Sequence, residues 1–176
     1  VRFKNTPKLD ALRDLLTTLV INEGNKAVLW YNYKYDIVIL EELMRELGIT
    51  FITISADEDK EAKQRIQKVN IFESTPSIQV LLGSPSLISE GIDIFSTPYN
   101  IYWNLTFRFD KIDQSEARTR RLDSIKFWKS VFYYRFIMQD TVEEIVLKAL
   151  ERKLSYKELI FGVQQYIKRA KVLYVK

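Results

Sequence analysis

Ala27-Val28-Leu29-Trp30-Tyr31 is a short, unbroken apolar run of the kind that forms a strand buried on both faces. On its N-terminal side, Pro7 is placed to open a helix in its first turn. Leu9, Leu12, Leu15, Leu16 and Leu19 follow at helical spacing, and Asn22 to Asn25 with Gly24 form a stop. On its C-terminal side, Tyr35 to Leu47 returns to the helical period, with Ile39, Leu40, Leu43 and Leu47 expected inward and Gly48 as cap. Phe51-Ile52-Thr53-Ile54 is a second strand. Asp57 to Phe72 is expected as a charged helix that turns Ala62, Ile66, Val69 and Phe72 inward.

The alternation continues. Strands are expected at Ser77 to Leu82, Asn100 to Trp103 and Phe132 to Ile137. Asp140 is expected to cap a helix from Thr141 to about Lys153, with Glu143 completing a capping box. A last helix spans about Tyr156 to Ala170; the tail from Val172 to Val175 fits either a strand or a fraying end. Strands alternating with helices imply βαβ units. The expected fold is therefore α/β, a doubly wound parallel sheet with helices on both faces, formed by residues 1–176 as one domain. In such sheets ligands bind at the carboxyl ends of the strands.

Composition removes several chemistries. The 176 residues include no cysteine and no histidine. Disulfides, thiolate or imidazole metal sites and a histidine general base are thereby excluded. No metal site is expected in this chain. The net charge of +4, from 27 Lys+Arg against 23 Asp+Glu, permits a polyanion partner without requiring one. No apolar stretch reaches the roughly 18 residues a membrane helix needs, so no membrane partner is expected. The first residue is Val rather than Met, and the chain reads as a fragment of a longer protein.

Three constellations can carry chemistry. Gly83 to Ile94, after the third strand, is rich in small and hydroxyl residues. Its hydroxyls and backbone N–H groups can hold phosphate oxygens, Gly91 permits close backbone approach, and Asp93 can bind a ribose or orient an arginine. It also fits an ordinary βα loop. In Gln114-Ser115-Glu116-Ala117-Arg118-Thr119-Arg120-Arg121, Arg118 and Arg121 share a face if the segment is helical. Paired guanidiniums suit phosphate oxygens, although a solvated basic face gives the same pattern. Asn32, Tyr33 and Lys34 after the first strand, and Ser55 after the second, are polar strand-end residues able to meet a nucleic-acid backbone, or plain loop residues. The aromatic run around Phe127, Trp128 and Phe132 to Tyr134 reads as core rather than a stacking platform. No Gly-x-x-x-x-Gly-Lys-Ser/Thr loop and no strand-end Asp-Glu pair occurs.

The order and spacing of these pieces resemble the C-terminal RecA-like lobe of Swi/Snf-type superfamily 2 helicases, over nearly the whole chain. Thr6-Pro7-Lys8-Leu9 matches the opening of such lobes, Lys26 to Ile49 the first strand and helix, and Arg65 with Phe72 the next helix. Leu81-Leu82-Gly83-Ser84 and Gly91-Ile92-Asp93-Ile94 match the fifth motif, and Gln114, Arg118 and Arg121 the sixth. Asp140-Thr141-Val142-Glu143-Glu144 and Lys153 match a later helix. The resemblance implies the P-loop NTPase fold of a helicase C-terminal lobe, ATP with Mg2+ held mainly by a first lobe, and nucleic acid, DNA above RNA, as partner. It implies Arg121 as arginine finger and Arg118 as a γ-phosphate or coupling arginine. Gln114, Gly91 and Asp93 fall on the nucleotide side, and Asn32, Lys34, Ser55, Ser84 and Ser86 on the nucleic-acid track.

The chain departs from the family pattern at Pro85, at Ile88-Ser89 and at Asp123-Ser124, and Asn104 to Asp113 lacks the usual Asn-Pro. These departures favour a viral, plasmid or prokaryotic member, working in the cytoplasm, over a eukaryotic remodeller. Two other functions share the pattern: a nucleic-acid-binding or scaffolding domain without ATPase activity, and an unrelated doubly wound enzyme such as a nucleotide-sugar transferase.

Overall fold

A computed structural model describes residues 6–88, 92–106, 108–120, 128–152 and 156–174. Its elements are α1 (Pro7–Leu16), a π-helical turn (Thr17–Asn22), β1 (Ala27–Trp30), α2 (Lys34–Glu46), β2 (Phe51–Thr53), α3 (Ala62–Ser74), β3 (Val80–Gly83), β4 (Tyr99–Tyr102), α4 (Phe109–Thr119), β5 (Phe132–Arg135), α5 (Val142–Glu151) and α6 (Tyr156–Tyr174). The strands form one parallel sheet in the order β2-β3-β1-β4-β5. The RecA-like doubly wound fold expected from the sequence is the observed one.

The period of two along each central strand divides the core. Ala27, Leu29 and Tyr31 face α1 and α2, joined by Val80, Leu82 and Ile101. Val28 and Trp30 face the other way, with Leu81 and Tyr102, onto Val69 and Phe72 of α3, Ile112 of α4 and Val146 and Ala149 of α5. The buried Trp30 indole is satisfied inside the sheet: it donates to Asn100 Oδ1 at 3.1 Å.

This arrangement sends the connection after β1 to one face and those after β2 and β4 to the other. The carboxyl ends must therefore open a crevice beside β1, the topological switch point of the sheet. Glycines permit the tight exits at two places, Gly24 (φ 70°) and Gly48 (φ 69°), where other residues are strained. Among the described residues no helix is long and apolar enough to cross a membrane.

Several expectations are corrected. The third helix starts at Ala62 rather than Asp57, because Asp59 is buried and accepts from Ser55 N (3.0 Å), which curls the preceding residues into a turn. Ile39 and Ile66 are each 40% exposed; Leu40, Leu43 and Met44 cover the sheet from α2, and Val69 and Phe72 from α3. β3 begins at Val80 rather than Ser77, and β4 runs one residue earlier than expected. Phe132 is 44% exposed and stacks on Tyr99 at 5.3 Å, so that part of the aromatic run is not core.

Thr141, not Asp140, caps α5: its hydroxyl accepts from Glu143 N, while Asp140 stands at φ 57° in the left-handed region. Glu143 does not close a capping box; it takes the Met138 amide (2.8 Å) and pairs with Lys8. α6 continues to Tyr174, which leaves no strand at Val172–Tyr174. Gly91, Arg121, Phe127 and Lys153 lie outside the described residues.

Candidate functional site

The crevice predicted by the topology is a cleft of about 210 Å³ at the ends of β1, β2 and β3. Asn32 and Lys34 contribute from β1, Ser55 and Asp57 from β2, and Ser84 and Ser86 from β3. All five residues expected on a nucleic-acid track thus line one cleft. Its walls are pinned by short-range bonds. The Tyr31 hydroxyl donates to the Ile54 carbonyl (2.7 Å), tying the end of β1 to that of β2. Burial, with Asp59 next in weight, raises the Tyr31 phenol well above its ordinary value. Ser84 and Ser86 share a hydroxyl bond of 2.8 Å.

Ser55 is placed by a buried carboxylate. Asp59 Oδ2 accepts from Ser55 N and from Lys68 Nζ (2.8 Å), and Lys68 also donates to the Thr53 carbonyl (2.8 Å). On the far side of β1, Asn104 closes the gap to β4. Its Oδ1 accepts from Asn32 N (3.1 Å), its carbonyl accepts from Asn32 Nδ2 (2.7 Å), and its own amide donates to Asp36 Oδ2 (2.8 Å). The crevice is therefore stitched between β1 and β4 and open between β1 and β3. Asp57 pairs with Lys34 across the opening, and hydrogen bonding to Asp57 followed by its charge raises the Lys34 pKa.

The sixth-motif residues form a second locus on α4. Ile112, Ser115 and Thr119 are each 1% exposed and seat this helix on the sheet, with Ser115 Oγ bonded to the Tyr102 hydroxyl (2.7 Å). Burial, opposed by that bond, raises the Tyr102 phenol well above its ordinary value. Arg118, in the last turn, lies 3.7 Å from Asp93, and its carbonyl accepts from Ile94 N at 3.2 Å. Two of the predicted nucleotide-side residues are thereby brought together. Gln114, one turn earlier, accepts from Lys111 Nζ (3.2 Å). α4 ends at Thr119, so the shared helical face expected for Arg118 and Arg121 does not extend through described helix.

Glu73 of α3 holds the segment that carries Asp93. Its carboxylate accepts from Phe95 N (3.1 Å), Ser96 N (3.0 Å) and the Ser96 hydroxyl (2.7 Å). Arg135 of β5 pairs with Glu116 on the flank of α4. The sequence reading missed Asn104, Asp59, Glu73 and Asp57. Only Asn104, a polar residue directly after a strand, carried a local signal. Among the described residues no group of three or more acidic side chains could hold a metal ion.

A parallel five-stranded sheet with an open crevice at the ends of its strands places the chain in the doubly wound α/β class, whose ligands bind at that crevice. Comparison with known proteins narrows this. The profile of the helicase conserved C-terminal domain matches residues 7–123, and the chain belongs to that family, as the C-terminal lobe of a Swi/Snf-type superfamily 2 helicase. The ATP-dependent helicase fft3 of Schizosaccharomyces pombe is 27% identical over 92% of this chain and 17% of its own length. The chromatin-remodeling ATPase INO80 of the same yeast is 26% identical over 88% of this chain and 9% of its own. The chain therefore spans a minor part of these relatives. A crystal structure of the C-terminal part of the Fun30 ATPase domain shares the fold, with a TM-score of 0.73 and 21% identity over 82% of this chain and 45% of that one.

Further matches come from Plasmodium falciparum and Arabidopsis thaliana. These eukaryotic relatives correct the expectation of a viral, plasmid or prokaryotic member working in the cytoplasm.

Proposed function

We propose that this chain is the second motor lobe of an ATP-driven translocase on DNA, completed by an N-terminal RecA-like lobe of the same protein. The observation that carries this is the cleft at the switch point, which gathers Asn32, Lys34, Ser55, Ser84 and Ser86 from three strand ends. Hydroxyls, an amide and one ammonium suit phosphate oxygens and carry no base-reading pattern.

The hydrolytic role rests on α4. The first lobe would grip ATP and hold any Mg2+, which would neutralise phosphate charge. Water forms the new bond to the γ-phosphorus as the bond to the β-phosphate oxygen breaks, giving ADP and inorganic phosphate. This lobe brings Arg118, oriented by Asp93, and Arg121 toward the charge that develops on cleavage, with Gln114 as a positioning residue. A guanidinium offers planar paired donors at that point. Closing and reopening of the lobes then moves the cleft along the backbone.

The test is turnover and DNA binding by the full-length protein. Arg121→Ala should lower kcat by roughly 10³-fold or more, with poor rescue by Arg121→Lys and DNA affinity nearly unchanged. Arg120→Ala is the control. Normal turnover in Arg121→Ala, or damage confined to Arg120→Ala, would reject the assignment.

A further inference from the structure

Among the described residues that line the cleft, one pair carries charge. Of the residues that line it, Lys34 is the cation and Asp57 the carboxylate. They belong to different loops, after β1 and after β2, and their side chains meet across the opening while staying 72% and 64% exposed. The neighbouring acids are engaged elsewhere. Asp36 accepts from Tyr33 N (3.0 Å) and from Asn104, Asp59 from Ser55 N and Lys68, and Glu58 stands 3.6 Å from Lys68. Asp57 alone among these four faces the cleft's ammonium.

A phosphate that enters beside Ser84 and Ser86 meets a carboxylate already on the cation it needs. Carboxylate and phosphate oxygens compete for the same N–H donors. An exposed ion pair is weak enough for a phosphate to displace.

We propose that Asp57 is a built-in competitor for one nucleic-acid phosphate. It occupies Lys34 between binding events, yields Lys34 when a phosphate arrives, and reclaims it as the strand leaves. The inference rests on the reading of the cleft as the nucleic-acid track, and it adds the regulation of that track. A motor that advances must release each phosphate it grips, and an internal carboxylate next to the cation lowers the cost of release.

The experiment measures dissociation constants of the full-length protein for fluorescein-labelled duplex DNA of mixed sequence at low salt. Asp57→Asn should tighten binding by about two- to fivefold, the scale of an exposed pair. Glu58→Gln, one residue away, should change affinity little. Asp57→Asn should add nothing in a Lys34→Ala background. Equal gains from Asp57→Asn and Glu58→Gln would mean general repulsion and overturn the proposal, as would a gain that persists without Lys34. If Lys34→Ala weakens binding and Asp57→Asn does not tighten it, the competitor is refuted while the track stands. If neither substitution moves affinity, the track reading fails with it.

Discussion

Gly83 ends β3 where the chain turns into the cleft. A methyl group added there would lie 2.2 Å from Ile88 Cδ1, and Ile88 is itself buried, so the side chain has little room to retreat. Gly83→Ala should cost about 1–3 kcal/mol of stability in urea unfolding, the usual range for overpacking. An unchanged midpoint would show that Ile88 moves freely. Two buried phenols set an alkaline limit. Tyr31 and Tyr102 keep their protons in the folded state well above the value of 10.0 at which an exposed tyrosine ionises. Above that value the unfolded chain binds fewer protons than the folded one, so stability falls as pH rises toward the raised folded pKa. Tyr31→Phe and Tyr102→Phe should each flatten this slope by about 1.4 kcal/mol per pH unit above pH 10, read from urea midpoints across pH. Below pH 9 neither variant should alter the pH slope.

α1 and α5 are far apart in sequence and are clasped together. Lys8 Nζ sits 2.7 and 2.9 Å from the two Glu143 oxygens, with side chains only 9% and 22% exposed, and lies over the Trp103 ring. Removing one partner strands a poorly hydrated charge. Lys8→Met and Glu143→Gln should each cost about 1–3 kcal/mol, and the double variant should cost clearly less than their sum, as a double-mutant cycle in urea would show. Purely additive losses would mean the ends are not coupled. The clasp also marks how far the sequence is legible. The five strands and their order along the chain could be read because apolar runs such as Ala27 to Tyr31 have few other uses. The strand-end residues could be read because parallel sheets bind ligands at that end. Asp140 was misjudged because a polar residue before a helix is a common cap, and only the backbone shows that it is left-handed. Glu143 was assigned to its own helix because a partner 135 residues away leaves no local trace. Glu73 escaped notice for the same reason: it binds backbone N–H groups more than 20 residues away. Asp59 was missed because its stretch reads as part of a helix, whereas it accepts from Ser55 N four residues back and forms a turn.

At the scale of the molecule, the proposed two-lobed motor makes the cleft and the α4 arginine halves of surfaces that the first lobe completes. The isolated chain should show no ATP turnover, and phosphate release that Arg121→Ala abolishes would contradict this. It should bind DNA weakly, without sequence preference, and less as salt rises. Lys34→Ala should reduce the salt slope by about one. Binding that is equal at low and high salt would rule out phosphate contacts.

The position of β1 in the middle of the sheet has a consequence for synthesis. Val28 pairs with Leu81 on one side and Asn100 on the other, both encoded later. A nascent chain therefore carries a strand buried at all four residues past the ribosome with neither neighbour made. At about 5–20 residues per second the second neighbour follows several seconds later. During that interval α1 and α2 can shelter one face of β1, while Val28 and Trp30 stay uncovered. Chaperone dependence in the cell should then be decided by those two side chains and by the speed of translation between codons 31 and 102.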